Sequence, residues 1–253
     1  PWGNPLTLSG LRSKLVVFVG DLRKDSGADI FIRAATKAFS DRLDISCLIK
    51  TENIQPDESD VLSSLENTSR SSNVHWGLIR GDLTNEQWAG LFRLADAVVI
   101  SPRVISWPYW GVAAAASGAP VIAVRHPVIV DALGKAAYLG IDCHEFHMNQ
   151  DELKYWEADV DQMAEALREV VSWSPSNRLR WGKEAAGWVH RNRRWDATVT
   201  TLEKFILDKI GNSANIVHKT NRRQVIWRGP VRSAMGYAAE ARDWLDGLHQ
   251  KGW

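Results

Sequence analysis

The stretch LADAVVISPRVISWPYWGVAAAASGAPVIAV, residues 94–124, decides the fold of this chain. It begins with an apolar run that ends at Ser101 and Pro102, continues through a loop with two tryptophans, and enters a helix of small residues near Gly111. A second apolar run follows Pro120. This order of strand, loop, helix and strand is typical of an open α/β sheet, in which ligands bind beyond the carboxyl ends of the strands, often at a helix N-terminus.

The sequence before and after this stretch repeats the alternation of strands and helices. Short apolar runs predict further strands at 15–20, 43–49, 74–79 and 136–139. Apolar residues at helical spacing predict helices at 27–39, 57–65 and 84–94. The last of these helices begins with Thr84 and Gln87 at the spacing of a capping box. We therefore expect an α/β protein with a doubly wound parallel sheet.

From residue 159 onward the pattern indicates helices only. Apolar faces predict helices at 160–171, 179–189 and 198–210. These helices are expected to pack against the edge of the sheet and to close one domain that spans residues 1–211.

The composition excludes several classes of protein. With 253 residues, of which 45% are hydrophobic and 24% charged, the chain can bury a globular core. It has no apolar run of the roughly 20 residues that a membrane span needs, and it has no signal peptide pattern. Cys47 and Cys143 show no disulfide or metal spacing, which favours a reducing, cytoplasmic setting. The chain begins at Pro1 rather than Met, which suggests a piece of a longer protein.

The basic residues are concentrated near the end of the chain. Residues 212–253 contain seven Lys and Arg against three Asp and Glu, although the whole chain has a net charge of only +1. These cations are spread out rather than clustered, and Pro230 lies among them. A solvated linker explains them better than a surface for nucleic acid.

Four segments resemble, in the same order, the donor-binding C-terminal half of the GT-B glycosyltransferases. They are FVGDLRKDSGADIFIRAATKAF, VHWGLIRGDLTNEQWAGLFRLADAVVISP, GVAAAASGAPVIAV and YWEADVDQMAEALREVV. The similarity is to the large family-4-like group, also called glycosyl transferases group 1, and it covers residues 14–210. It implies a Rossmann-like domain that binds a nucleotide sugar, such as a UDP- or GDP-sugar, and takes part in hexosyl transfer without a further cofactor or metal. In that family the acceptor binds to a separate N-terminal half, which would be a partner of this domain.

The chain departs from the family where the family places its carboxylates. The family usually has two glutamates eight residues apart, which accept hydrogen bonds from the donor sugar and the ribose. Alignment of SGAPVIA with the corresponding family motif puts Ile105 and Ala113 at these two positions. No glutamate occurs anywhere between Glu86 and Glu145. We therefore assign no catalytic residue.

The chain departs a second time where the family neutralises the donor diphosphate. An Arg and a Lys in the loop after the first strand do this in the family, but Asp21 and Ser26 stand at the aligned positions. Four other cations could replace the missing pair if they face the same cleft. They are Arg23 and Lys24 in the same loop, and Arg80 and Arg103 after later strands. The alternative is that all four are ordinary exposed loop charges.

The aromatic loop supplies a further hint. Trp107 and Trp110 either stack on a base or sugar ring, or dock a partner, or are buried against the sheet. With the glycines that allow close backbone approach, the predicted donor-binding residues are Gly20, Arg23, Lys24, Arg80, Arg103, Ser106, Trp107 and Gly111.

The segment VIWRGPVRSAMGYAAEARDWLDGLHQKGW, residues 225–253, resembles the first strand, glycine turn and helix of a GT-B N-terminal half. On this interpretation residues 212–224 are a linker, and the parent protein carries glycosyltransferase-like domains in tandem. The alternative is a crossover helix that packs back on the same domain.

Three hypotheses of function follow. The first is a donor-binding glycosyltransferase domain, and the second is a degenerate, non-catalytic GT-B domain that serves as a scaffold or partner-binding module. The third, an unrelated nucleotide-binding Rossmann enzyme, is disfavoured because GDLRKD at residues 20–25 does not match GxGxxG.

Overall fold

A computed structural model describes residues 8, 10–51, 59–147 and 154–211, together with Leu245 and His249. The chain divides into two compact units, 1–189 and 190–253. The first unit contains all the strands that the structure describes and the helices that flank the sheet, and the site described below lies within it.

The strands and helices alternate along the first 133 residues. The strands are β1 (Lys14–Val19), β2 (Ile45–Lys50), β3 (His75–Ile79), β4 (Ala97–Ile100), β5 (Val121–Val124), β6 (Leu139–Ile141), β7 (Cys143–Phe146) and β8 (Tyr155–Ala158). The helices are α1 (Ala28–Ala38), α2 (Ser59–Ser71), α3 (Asn85–Leu94), α4 (Tyr109–Ala116), α5 (Pro127–Leu133), α6 (Val160–Ser172), α7 (Pro175–Asn192) and α8 (Trp195–Gly211).

The main sheet has six strands in the order β3-β2-β1-β4-β5-β6, and every neighbouring pair is parallel. The order reverses between β1 and β4, where Val16 pairs with Cys47 on one side and with Ala97 on the other. Right-handed crossovers on either side of this point place helices on both faces of the sheet. The predicted doubly wound parallel sheet is confirmed.

The core is built on strands whose residues are buried on both faces. All residues of β2, β4 and β5 are buried, as parallel strands between two helical layers require. Helix α1 contributes Phe31, whose ring stacks on Phe18 of β1 with 5.2 Å between the centroids. Helix α6 packs beside α1, and the Arg168 guanidinium donates to the Ala38 carbonyl at the end of α1. This packing fixes α6 along α1.

Most predicted elements lie within a few residues of the observed ones, but two differ, and one helix was not predicted. The strand predicted at 136–139 is observed at Leu139–Ile141. The helix predicted at 57–65 continues to Ser71 through a polar segment that carries little apolar periodicity. Helix α5, not predicted, begins at Pro127, the position of a helix where proline is most easily accommodated.

The sequence pattern also does not predict the antiparallel pair β7 and β8. Their sequences, CHEF and YWEA, are short and half polar, and they lack the apolar run that marks the parallel strands. The pair was not predicted, yet it contributes to the site.

The predicted linker at 212–224 and the strand-helix segment at 225–253 lie outside the described residues, apart from Leu245 and His249. Among the helices that the structure describes, none has the length and hydropathy that crossing a bilayer requires.

Candidate functional site

The candidate site lies at the carboxyl ends of β1 and β4, where the strand order reverses. In open α/β sheets the loops after two such strands diverge to opposite faces and leave a crevice between them. Here the loops are residues 20–27 and 101–108. Gly20 begins the first loop, and its backbone N–H donates to the Lys50 carbonyl at 3.1 Å, which ties the loop to β2.

The first loop folds back on itself before α1 begins. It contains a 3-10 helix at Lys24–Ser26 and ends at Gly27 with φ of +76°. The fully buried Leu22 anchors it in the core. A methyl group on Gly27 would overlap the carbonyl oxygen of Ser101, the first residue after β4. The absence of a side chain at Gly27 therefore lets α1 start directly against β4.

Backbone hydrogen bonds join the two loops into one unit. The Asp25 carbonyl accepts from the N–H groups of Arg103 and Val104, at 2.7 and 3.3 Å. The Arg103 carbonyl in turn accepts from the Trp156 N–H of β8 at 2.8 Å. Strand β8 therefore fixes the position of the second loop, and with it one side of the crevice.

The Arg103 side chain is the centre of this unit. It is only 5% exposed, and it makes two hydrogen bonds with the Asp29 carboxylate, at 2.7 and 2.9 Å. It also donates to Glu157 Oε2 at 3.1 and 3.2 Å and to the Lys24 carbonyl. Burial alone would lower the pKa of Arg103, but the hydrogen bonds and charges of Asp29 and Glu157 outweigh it, so the pKa lies above its ordinary value.

This environment speaks against the prediction that Arg103 compensates for the missing diphosphate cations, which stays a prediction. Its charge is balanced by two carboxylates within the protein, and its donors already have acceptors. Asp29 lies in the first turn of α1, so the protein's own carboxylate stands where a helix N-terminus would attract a phosphate. Within the protein, Arg103 links the loop after β4 to α1 and β8.

The remaining cations of the first loop also face carboxylates. Arg23 Nη2 lies 2.6 Å from Asp25, and Lys24 Nζ lies 3.5 Å from Asp60 of α2. The second pair is highly exposed, with 61% and 76% of the two side chains accessible. Such a pair contributes little energy and opens easily. Lys24 is therefore the cation of this loop that is most accessible to a ligand.

The two residues that replace the family's cations stabilise the loop itself. Asp21 accepts from the Thr51 hydroxyl at 3.2 Å. The Ser26 hydroxyl donates to the Asp21 and Arg23 carbonyls. The Ser26 side chain thus has its partners inside the loop, and the Asp21 side chain has one in Thr51, the residue after β2.

Arg80 lies apart from the crevice. It follows β3, the edge strand, which is separated from β1 by β2, so it starts roughly 10 Å away at ordinary strand spacing. It is exposed and has no carboxylate partner among the described residues. Arg23 and Lys24 are adjacent in the loop after β1, whereas Arg80 follows the edge strand β3.

The second loop leads into α4 through exposed residues. Ser106 and Trp107 are exposed, with 44% of Trp107 accessible. Pro108 is the N-cap of α4 and supplies no side-chain hydrogen bond. Gly111, in the first turn, is buried, and an added methyl group would contact Pro108 and Ile100 at ordinary distances of 3.5 to 3.6 Å.

The two tryptophans of this loop have different environments. Trp110 stacks on Trp88 of α3, with 3.8 Å between centroids and 23° between ring planes. Trp88 is 8% exposed and also packs against Phe92. Trp110 is therefore part of the packing between α3 and α4, whereas Trp107 presents an aromatic surface beside the N-terminus of α4.

The two positions aligned with the family's glutamates are part of the apolar packing. Ile105 and Ala113 are half-buried and contact the core. The substitution of both is consistent with the packing around them.

Two residues of the crevice were missed by the sequence analysis. Lys50, the last residue of β2, is 2% exposed, donates to the Thr51 carbonyl at 2.9 Å and lies 5.1 Å from the Trp88 ring centroid. In the sequence, the only sign of this residue's role is that a lysine ends an otherwise apolar strand. Ser101 is 1% exposed, and its hydroxyl has no partner among the described residues. Its position at the end of β4 was recognised, but its burial was not predictable from the sequence.

Comparison with known proteins identifies relatives of this chain by fold only. No family model matches the chain, and no curated protein sequence does. Solved structures are similar at low identity. A glycosyltransferase from Rickettsia africae ESF-5 has a TM-score of 0.62 at 12% identity over 81% of this chain and 49% of that one. A sucrose-phosphate synthase from Thermosynechococcus elongatus has a TM-score of 0.62 at 15% identity over 79% of this chain and 46% of that one.

A UDP-forming α,α-trehalose-phosphate synthase from Burkholderia xenovorans has a TM-score of 0.59 at 14% identity, over 80% of this chain and 45% of the synthase. The chain therefore spans less than half the length of each of these proteins. At such identities the likeness concerns the fold, and at that level the predicted Rossmann-like GT-B fold is confirmed.

Proposed function

We propose that this chain is the donor-binding half of a glycosyltransferase that transfers a hexosyl group from a nucleotide diphosphate sugar. The observation that carries the proposal is the N-terminus of α4, which lies beside the point where the strand order reverses and has no side-chain cap. The structural neighbours bear the names of glycosyltransferases, which supports the same class. The acceptor would bind to another part of the parent protein, in a reducing, cytoplasmic setting.

The first turn of α4 suits an anion. The N–H groups of Trp110 and Gly111 have no acceptor among the described residues, as is usual in the first turn of a helix. The diphosphate would bind to these groups, because the helix dipole favours negative charge there. Trp107 would stack on the base or the sugar, and Lys24 would add a positive charge from the opposite loop.

A second candidate is a degenerate GT-B domain that acts as a scaffold or partner-binding module. It is favoured by the internal balance of charge in the crevice, where Arg103 is held by Asp29 and Glu157. Ile105 and Ala113, in place of two carboxylates, favour it further.

Calorimetric titration with UDP-glucose and GDP-mannose separates the two candidates. The first predicts saturable binding that weakens about tenfold in Trp107→Ala, since loss of one stacked base costs about 1–3 kcal/mol. Leu94→Ala is a matched control, because Leu94 is 57% exposed but lies at the amino end of β4. If neither nucleotide sugar gives a heat of binding at millimolar concentration, the first candidate is wrong and the second is supported.

A further inference from the structure

A second hollow lies at the opposite end of the sheet from the crevice. It has a volume of about 620 Å³ and lies between the C-terminal ends of α3 and α4 and the first half of α7. Its lining includes Arg93, Ser117, Gly118, Arg178, Gly182 and Lys183. A volume of roughly 300–1,000 Å³ is typical of sites for small molecules.

Two glycines of the lining bring α7 close to the end of α4. Gly118, with φ of +80°, follows α4, and Gly182 lies in α7. A methyl group on Gly182 would overlap the Gly118 carbonyl oxygen. The backbones therefore meet without side chains between them, and the larger neighbouring side chains form walls around the contact.

The charges around the hollow are predominantly positive. Arg93 and Lys183 are exposed and have no carboxylate partner in the part of the chain that the structure describes. Arg178 also lines the hollow and donates to Asp96 at 2.9 Å and to the Arg93 carbonyl at 2.8 Å. Asp96 is 8% exposed at its side chain and also accepts from Lys14. Three cations thus line the hollow, and Asp96, the carboxylate that pairs with Arg178, is already shared with Lys14.

The rest of the lining is small and apolar. Ala116, Pro175 and Ala186 form the walls, and Leu179 at the edge is 59% exposed. The first turn of α7, which starts at Pro175, adds the positive end of a helix dipole. An anionic group with a compact uncharged body matches these features, because guanidinium and ammonium groups bind phosphate oxygens while the apolar wall covers the body.

We propose that this hollow is a binding site for a small phosphomonoester, separate from the crevice at the carboxyl ends of the strands. The phosphate lies between Arg93 and Lys183, and the uncharged body packs on the walls formed by α4 and α7. The proposal does not depend on the function proposed above, because the two sites lie at opposite ends of the sheet and share no residue.

The test uses phenyl phosphate as the probe and the full chain as the protein. Calorimetry at low ionic strength should show one saturable site, with weaker binding of inorganic phosphate and no binding of phenol. In Arg93→Gln/Lys183→Gln the affinity for phenyl phosphate should fall at least about tenfold, because hydrogen bonds to charged groups contribute strongly. Arg70→Gln/Lys135→Gln is the matched control, since it removes the same charge from two exposed positions outside the hollow and should leave the affinity within about twofold.

A second variant tests the cavity without changing its charge. Ala186→Phe, which places a ring on the apolar wall where the uncharged body would pack, should weaken binding of phenyl phosphate at least about tenfold while the chain still unfolds cooperatively. The proposal is overturned if phenyl phosphate does not bind, if the control variant weakens binding as much as the test variant, or if Ala186→Phe binds normally. Capture on phosphatidic acid vesicles without binding of the soluble ester would also overturn it, because that result indicates a membrane surface.

Discussion

The guanidinium of Arg103 and the carboxylate of Asp29 form a two-point salt bridge between the loop after β4 and the first turn of α1, with N–O distances of 2.7 and 2.9 Å. The two residues are 74 positions apart in sequence. Arg103 is almost fully buried, and Glu157 of β8 provides its second carboxylate. The contact fixes α1, β4 and β8 around the crevice, and planar two-point pairing gives it a defined geometry.

Removal of the Arg103 charge should destabilise the protein strongly. Arg103→Met removes the cation that Asp29 faces and leaves Glu157 with only the exposed Arg33, and breaking a buried pair in this way costs about 3–5 kcal/mol. Because both carboxylates retain some exposure, we expect about 2–4 kcal/mol, measured as the free energy of unfolding in urea.

The matched control is Arg33→Gln. Arg33 contacts the same Glu157 at 3.4 Å, but its side chain is 54% exposed. Exposed pairs contribute little, so the loss should stay below about 1 kcal/mol. Equal losses in Arg33→Gln and Arg103→Met would show that the buried network does not hold the crevice.

Gly27→Ala should destabilise the protein by more than its backbone conformation alone explains. The left-handed conformation costs an alanine about 1–2 kcal/mol, and the new methyl group would also overlap the Ser101 carbonyl oxygen. Gly81→Ala separates the two effects, because Gly81 has φ of +77° but no atom within 4 Å of the added methyl group. In thermal and urea unfolding, the Gly27 variant should lose at least about 1 kcal/mol more than the Gly81 variant. Similar losses would indicate that α1 can move away from β4 at little cost.

The order of the elements could be predicted because each was marked locally. Buried parallel strands such as β4 appear as apolar runs. Helix α3 begins with the capping box that Thr84 and Gln87 predict. By contrast, β7 and β8 are stabilised by pairing with each other, and a half-polar run of four residues does not reveal its partner.

The candidate site was less predictable, because the role of a cation depends on what faces it. Arg103 and Lys24 looked equivalent in sequence, but the fold buries one between two carboxylates and leaves the other exposed. Trp107 and Trp110 were likewise indistinguishable until α3 placed Trp88 beside one of them. In both cases the deciding neighbours are distant in sequence.

Trp110→Ala and Trp107→Ala should affect stability differently. Loss of Trp110 removes the ring that stacks on Trp88 and opens a gap between α3 and α4. Because Trp110 is only partly buried, we expect a loss of about 2–3 kcal/mol, at the low end for large-to-small aromatic substitutions. Trp107 is 44% exposed, and its replacement should cost less than about 1 kcal/mol. Urea unfolding of the two variants checks this, and a larger loss in Trp107→Ala would mean that the exposed ring has a structural role.

His126 should make stability depend on pH. It is the N-cap of α5, where its Nδ1 accepts from the Val128 N–H at 3.3 Å, and its ring packs against Trp156. Burial disfavours the charged ring and lowers the pKa of His126 below its ordinary value. A proton on Nδ1 would also remove the capping hydrogen bond and place a positive charge at a helix N-terminus.

Because the folded state binds the proton less readily than the unfolded chain, the contribution of His126 is fully present above its unfolded pKa, about 6.5. It is lost as the pH falls below that value towards the lower folded pKa. His126→Asn keeps an uncharged capping residue, so wild type should lose more unfolding free energy than the variant between pH 8 and pH 5. Urea unfolding of both proteins across this range is the measurement. Parallel curves would contradict the prediction, since they would mean that the protonation of His126 is not linked to folding.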